Sequence, residues 1–182
     1  MRNHRLATLL AAAAMATVSG LAVSSPAHAA TANSFEIQSV YSFLCLQPAA
    51  GSSGLGVGIV QGICNGSLAQ QWAVASSSSG FHLVNRSSGL CLDARGGAAN
   101  GTPVEQWTCD WISNEDWSWG NGRMSGQVLE SGVSGTYNHC VSSPGEWTWF
   151  VQDVYLQSCN GQLFQQTWYH RLPGGTVCAA AY

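Results

Sequence analysis

Seven cysteines and eight tryptophans carry the most legible chemistry in this 182-residue chain. Cysteine can serve disulfide, metal or nucleophilic chemistry, and spacing separates the three. Cys45, Cys64 and Trp72 form one set, Cys91, Cys109 and Trp117 a second, and Cys140, Cys159 and Trp168 a third. Within the sets the two cysteines lie 19, 18 and 19 residues apart. Metal-type Cys-x-x-Cys spacing is absent. The repeated spacing instead predicts one disulfide per repeat: Cys45 with Cys64, Cys91 with Cys109, Cys140 with Cys159. Closing each loop is worth about 3 kcal/mol in the chain-entropy account. Cys178 is left over; it stays free or links two chains, so the protein is expected as a monomer or a Cys178-linked dimer.

Disulfides require an oxidising compartment, and the start of the chain agrees. Arg2 and Arg5 precede an apolar, Ala-rich run from Leu6 to Val23, and Ala27-His28-Ala29 places small residues where a signal peptidase cleaves. Thr8, Thr17, Ser19 and Gly20 interrupt the run and Pro26 follows it, which disfavours a membrane anchor. Residues 1–29 are therefore expected to be a secretory signal peptide, of a kind that resembles those of high-GC bacteria. Residues 30–182 would form one secreted, extracellular domain.

The cysteine–tryptophan sets sit in turn-rich segments with alternating apolar residues. Four strands are expected in each of three repeats, at about 35–76, 81–121 and 126–171, with a tail at 172–182. The first repeat gives Phe35–Ile37, Leu44–Leu46, Val57–Cys64 and Trp72–Val74. The second gives Phe81–Val84, Leu90–Leu92, Val104–Cys109 and Trp117–Trp119. The third gives Gln127–Leu129, His139–Val141, Trp149–Cys159 and Trp168–His170. Gly, Ser and Trp abound and helical caps are lacking, so the class is all-β. Three units closed into a barrel would remove their sheet edges.

Charge narrows the partners. Past residue 29 there is no Lys, only Arg86, Arg95, Arg123 and Arg171, against nine carboxylates, for a formal charge of −5. No basic patch exists to neutralise phosphates, which argues against nucleic acid and anionic membranes. Catalytic patterns are equally thin. Ser134 lies in Gly-Val-Ser-Gly without the spacing of a nucleophile elbow. His82, His139 and His170 are scattered, with no His-Glu-x-x-His. Asp93 and Glu105 could be paired as glycosidase carboxylates, but a repeat hairpin offers one shallow pocket rather than a cleft. No enzyme activity, cofactor or metal is expected.

Gln70-Gln71-Trp72 and Gln166-Thr167-Trp168 are Gln-x-Trp triplets, and Glu115-Asp116-Trp117 is a variant with Glu first. With one cysteine pair per repeat, the chain resembles the ricin-B-type β-trefoil lectins from about Phe35 to Arg171. The stretch Gly89–Ala94 followed by Thr102–Cys109 is especially similar. The resemblance implies a β-trefoil of three four-stranded repeats, with Trp72, Trp117 and Trp168 pointing inward as core and not as sugar platforms.

It also implies where a sugar would bind. Vicinal hydroxyls need a carboxylate or amide, best through charge-assisted bonds, and the C–H face of the ring needs an aromatic wall. In the family the acid follows the first Cys by two, the aromatic precedes the second Cys by two, and an amide stands three before the motif Trp. The second repeat matches with Asp93, Trp107 and Asn114. Glu115 would support the site from behind, and Glu105 could take a further hydroxyl. Asp93 has an alternative reading as an Asx-type cap on the loop that follows it. The first repeat offers Gln47, Gly62 and Ala69 at these places. The third offers Ser142 and Gln157, with one residue inserted before Trp168. Its Trp147–Phe150 segment is either packing or a second contact surface. The resemblance implies a carbohydrate partner of galactose or xylan type. The competing readings are a trefoil protein–protein module, such as a protease inhibitor, and an accessory module for a separate glycoside hydrolase.

Overall fold

The structure is a computed structural model that describes residues 34–133, 135–144 and 151–173, and the backbone of 177–178. All of these lie in one compact unit, Thr31–Tyr182. Regular structure is strand apart from short 3₁₀ turns. The strands are β1 (Ser34–Ser39), β2 (Cys45–Pro48), β3 (Val57–Gly62), β4 (Gln71–Ser76), β5 (Phe81–Asn85), β6 (Cys91–Ala94), β7 (Val104–Trp107), β8 (Trp117–Asn121), β9 (Gln127–Ser131), β10 (His139–Ser142), β11 (Gln152–Asp153), β12 (Tyr155–Ser158), β13 (Thr167–Arg171) and β14 (Val177–Cys178).

Two layers organise them. The first and last strands of each repeat form a closed antiparallel ring, β1–β4–β5–β8–β9–β13 and back to β1. The middle strands form three hairpins, β2–β3, β6–β7 and β10–β12. The hairpins are tied to one another by β3–β7, by β11–β3 and by a bridge between Pro103 and Tyr155. No ring strand keeps an open edge, which is how a β protein of this size avoids edge pairing.

The three motif tryptophans fill the centre as expected. Trp72, Trp117 and Trp168 are fully buried, among Phe35, Ile37, Leu46, Leu83, Leu92, Leu129, Val141 and Leu156. Each indole N–H, which burial would otherwise leave unpaired, donates to a backbone carbonyl of a middle strand. Trp72 Nε1 reaches Leu46 O at 3.2 Å, Trp117 Nε1 reaches Leu92 O at 3.0 Å, and Trp168 Nε1 reaches Val141 O at 3.1 Å. The same bond, made three times, pins each hairpin to the ring. All three expected disulfides are formed, with Cα separations of 5.0, 5.1 and 4.9 Å.

Expectation and structure part at the strand ends. The strands expected to reach Cys64 and Cys109 stop at Gly62 and Trp107, because side chains take the next backbone N–H groups out of the ladder. Asn65 N donates to Gln70 Oε1, and Asp110 N to Glu115 Oε1. In the third repeat the single expected strand Trp149–Cys159 is divided at Val154 into β11 and β12. The chain changes partner there, from β3 of the first repeat to β10 of its own. With β14 added on β13, the described residues hold fourteen strands where twelve were expected. Ser134, the Trp147–Phe150 segment and the side chain of Cys178 lie outside the described residues. Among the described residues no helix is long and apolar enough to cross a membrane.

Candidate functional site

The β6–β7 hairpin places the acids and the aromatic by register alone. Asp93 stands opposite Glu105, and Cys91 opposite Trp107. Residues alternate across a strand, so these four share one face. Leu92 and Val104, on the other face, enter the core. Asp93, Glu105 and Trp107 are therefore brought together, with the Cys91–Cys109 bond at the end of the same hairpin.

Trp107 is 39% exposed. The loop of the first repeat backs it: a Cβ on Gly56 would lie 3.2 Å from Trp107 Cζ3. Gly56 also has φ +70°, a region that L residues avoid. Only glycine both turns here and leaves room for the indole.

Asp93 is buried, and its carboxylate accepts no hydrogen bond among the described residues. Burial, then the facing Glu105, then Glu115, push its carboxyl up to about 7, with Arg95 opposing them and Asp110 adding to them. A buried acceptor without a partner is poised for donors from outside, such as hydroxyls.

Glu105, expected as a possible acceptor for a further hydroxyl, is paired through Oε2. Arg95 Nε donates to Glu105 Oε2 at 2.7 Å, and Arg95 Nη2 makes a second contact to the same oxygen. Arg95 Nη2 also donates to Gly56 O at 3.1 Å. The guanidinium thus neutralises one of the two facing acids and locks the Gly56 loop against it. Sequence reasoning did not single out Arg95, although its place two residues after Asp93 in the same hairpin was visible. It also lines a depression of about 400 Å³ where the hairpins of the three repeats meet, with Gly58, Asp153 and Tyr155.

Asn114 and Glu115 come from the 3₁₀ turn Ser113–Glu115 that leads into Trp117. Asn114 is half-buried and makes no side-chain hydrogen bond among the described residues. Glu115 is fully buried. Its Oε1 accepts Asp110 N at 3.0 Å and its Oε2 accepts Trp111 N at 2.8 Å. It thus holds the loop after Cys109.

The other repeats keep the scaffold and lose the acid. In the first, Gln47 Oε1 accepts Gln70 Nε2 at 2.7 Å, so the acid position is closed on itself. In the third, Ser142 Oγ donates to Cys140 O at 3.4 Å. Glu130, Cys140 and Cys159 lie close enough to suggest a metal cluster, but both sulfurs are in a disulfide and cannot ligate as thiolates.

A closed ring of six strands, three hairpins and three inward tryptophans define a β-trefoil. Residues 22–107 match the family described as ricin-type beta-trefoil lectin domain-like, which bears out the resemblance drawn from the Gln-x-Trp triplets. Solved structures agree on the fold. The designed three-fold symmetric protein ThreeFoil superposes with TM-score 0.69 at 21% identity, over 76% of this chain and 97% of that one. The ricin B-like lectin of Macrolepiota procera, solved with lactose, gives 0.64 at 19% identity, over 78% and 96%. An exo-β-1,3-galactanase from Clostridium thermocellum gives 0.68 at 22% identity, over 78% of this chain but 30% of that one. No curated protein matches the sequence.

Proposed function

We propose that this chain is a secreted, non-catalytic carbohydrate-binding lectin that takes galactose-type or xylan-type sugars through its second repeat. One observation carries the reading: Asp93, a buried carboxylate with no hydrogen-bond donor among the described residues, lies on the same face as the half-open ring of Trp107. A pyranose needs that pairing, acceptors for its hydroxyls and an apolar wall for its C–H face. Asn114, beside them in the family register, supplies the amide. The lactose complex of the Macrolepiota procera lectin supports the galactose-type half of the reading.

The role as an accessory module has a specific observation in its favour. A trefoil similar to this one is about a third of the Clostridium thermocellum galactanase chain. In this chain the same site would then deliver a separate hydrolase to its polymer.

A glycan array on the secreted protein, followed by titration calorimetry on the strongest hit, tests both roles. One sugar per chain with a hexose or pentose terminus is expected. An array without a carbohydrate signal sinks the proposal and returns the protein–protein reading to the front.

A further inference from the structure

The second residue after the second cysteine is Gly66 in the first repeat, Trp111 in the second and Gly161 in the third. Gly66 has φ +73° and Trp111 has φ +59°. The backbone at this place is left-handed in both, and glycine adopts it freely. A bulky L residue does so only under constraint, and such strain collects at ligand sites.

The constraint is visible. In the first repeat, Asn65 N donates to Gln70 Oε1 at 2.7 Å, and Gly66 N donates to Glu36 Oε1 at 2.9 Å. Two side chains supply the two acceptors. Phe35 faces Trp72 and Phe81 faces Trp117, so Glu36 and His82, the residues after them, hold the same place. With His82 there, the second acceptor is lost. Glu115 replaces it: one carboxylate takes both Asp110 N and Trp111 N. The carboxylate offers a separate oxygen to each N–H, where a glutamine would have to share its one carbonyl oxygen between them. The departure from Gln in the motif and the tryptophan in a glycine position are therefore one coupled change.

His82 completes it. Its ring meets the Trp111 ring edge-on, with centroids 4.8 Å apart and an interplanar angle of 80°. His82 Nδ1 lies 2.9 Å from Glu115 O, which fixes the imidazole to the turn that carries Asn114. A clamped backbone and a buried imidazole thus hold an indole that remains 59% exposed. Nothing in the core needs that ring. The loop begins at Cys109, which is bonded to Cys91 on the hairpin that carries Asp93 and Trp107, so it borders the proposed sugar site.

We propose that Trp111 is a specificity-determining residue, the stacking platform for the second ring of an oligosaccharide whose first ring sits on Asp93 and Trp107. This rests on the lectin reading above. The site then selects chains of sugar over single sugars.

Titration calorimetry of the secreted protein and of Trp111→Gly tests it with two probe pairs, galactose with lactose and xylose with xylotriose. The native protein should bind the longer member of the preferred pair about tenfold more tightly than the monosaccharide. Trp111→Gly should keep monosaccharide affinity, lose the tenfold gain, and melt at a higher temperature, because glycine relieves the left-handed backbone. Should that variant fold poorly, Trp111→Asn serves, since Asn tolerates this conformation. Trp111→Phe should retain most of the gain. Unchanged oligosaccharide affinity in Trp111→Gly overturns the inference and leaves the lectin reading intact. An equal loss for both members of the pair also overturns it, by making Trp111 part of the first ring's site. A native protein that binds none of the four sugars or any array glycan removes the lectin reading and this inference together.

Discussion

Asp93 and Glu115 occupy the places that Gln47 and Gln70 hold in the first repeat, where the two amides share a 2.7 Å hydrogen bond. In the second repeat that donor is gone and two carboxylates meet instead. Part of the rise of the Asp93 carboxyl to about 7 comes from this meeting, after burial and Glu105. The acid that would hold the sugar therefore changes charge near neutral pH.

Sugar affinity should accordingly rise as pH is raised through about 7, as Asp93 becomes the better acceptor. Glu115→Gln restores a donor toward Asp93 and removes a neighbouring charge, so the midpoint of the profile should move to lower pH. Calorimetric affinities at intervals from pH 5 to 8.5 check both. A flat profile in the native protein would mean that Asp93 does not bear on the ligand.

The same group should make the fold less stable as pH rises. Its carboxyl loses a proton near 3.8 when unfolded and near 7 when folded. Between those values the folded state holds more protons, so stability present below about 4 is lost progressively up to about 7. Asp93→Asn cannot ionise and should gain on the native protein in melting temperature from pH 5 to pH 8. His170 works in the opposite sense. Burial lowers its pKa from 6.5 to about 4, and its contribution is lost as pH falls, equally in both proteins. The comparison of the two melting curves isolates Asp93.

Valency should be one. Asp93→Ala is expected to abolish binding and leave the fold intact, because the Asp93 side chain takes part in none of the tryptophan anchors or disulfides. Trp107→Ala should abolish it with some loss of stability, since the ring packs on Gly56. Monosaccharide affinity should be on the order of millimolar, about −4 kcal/mol. A measured stoichiometry of two or three would show that Gln47, Ser142 or the Trp147–Phe150 segment supports a site of its own.

Replacing a motif tryptophan by phenylalanine should cost about 2–4 kcal/mol, from the cavity and from the carbonyl left without its donor. Trp72→Phe, Trp117→Phe and Trp168→Phe should cost similar amounts, because all three make the same bond to a middle strand. Denaturant titration reads this directly. A Trp117→Phe cost below 1 kcal/mol would mean that the indole bond to Leu92 O is not what pins the β6–β7 hairpin.

Peptide mapping without reductant should recover Cys45–Cys64, Cys91–Cys109 and Cys140–Cys159 and no bond between repeats. A monomer should then titrate with one thiol, Cys178, unless that residue carries a small thiol adduct or joins two chains.

The core was legible because it repeats. Three tryptophans eight or nine residues after three cysteine pairs admit few arrangements, and the sulfur spacing fixed the pairing of the middle strands. Asp93 and Trp107 were singled out by the family resemblance, through their offsets from the two cysteines, and strand alternation puts them on one face of the hairpin. The exchange of partners at Val154 was not, because pairing of β11 with β3 depends on residues some ninety positions earlier in the chain. Arg95 on Glu105 escaped notice for another reason: a charged residue in a turn has no periodic signature. Trp111 could have been found by aligning the repeats at their second cysteines, where a tryptophan stands in line with two glycines. What it rests on, the two-oxygen acceptor of Glu115, needed coordinates.

The ring also sets a clock. β1 pairs with β13, and Arg171 meets the buried carboxylate of Glu36 across 135 residues of sequence. A ribosome making this chain emits the first barrel strand long before its closing neighbour exists. Until then β1 has an open edge, and the long-range pairing that would cover it cannot begin. The barrel thus closes only after β13 has been synthesised, which leaves a window in which a chaperone would meet an unclosed chain.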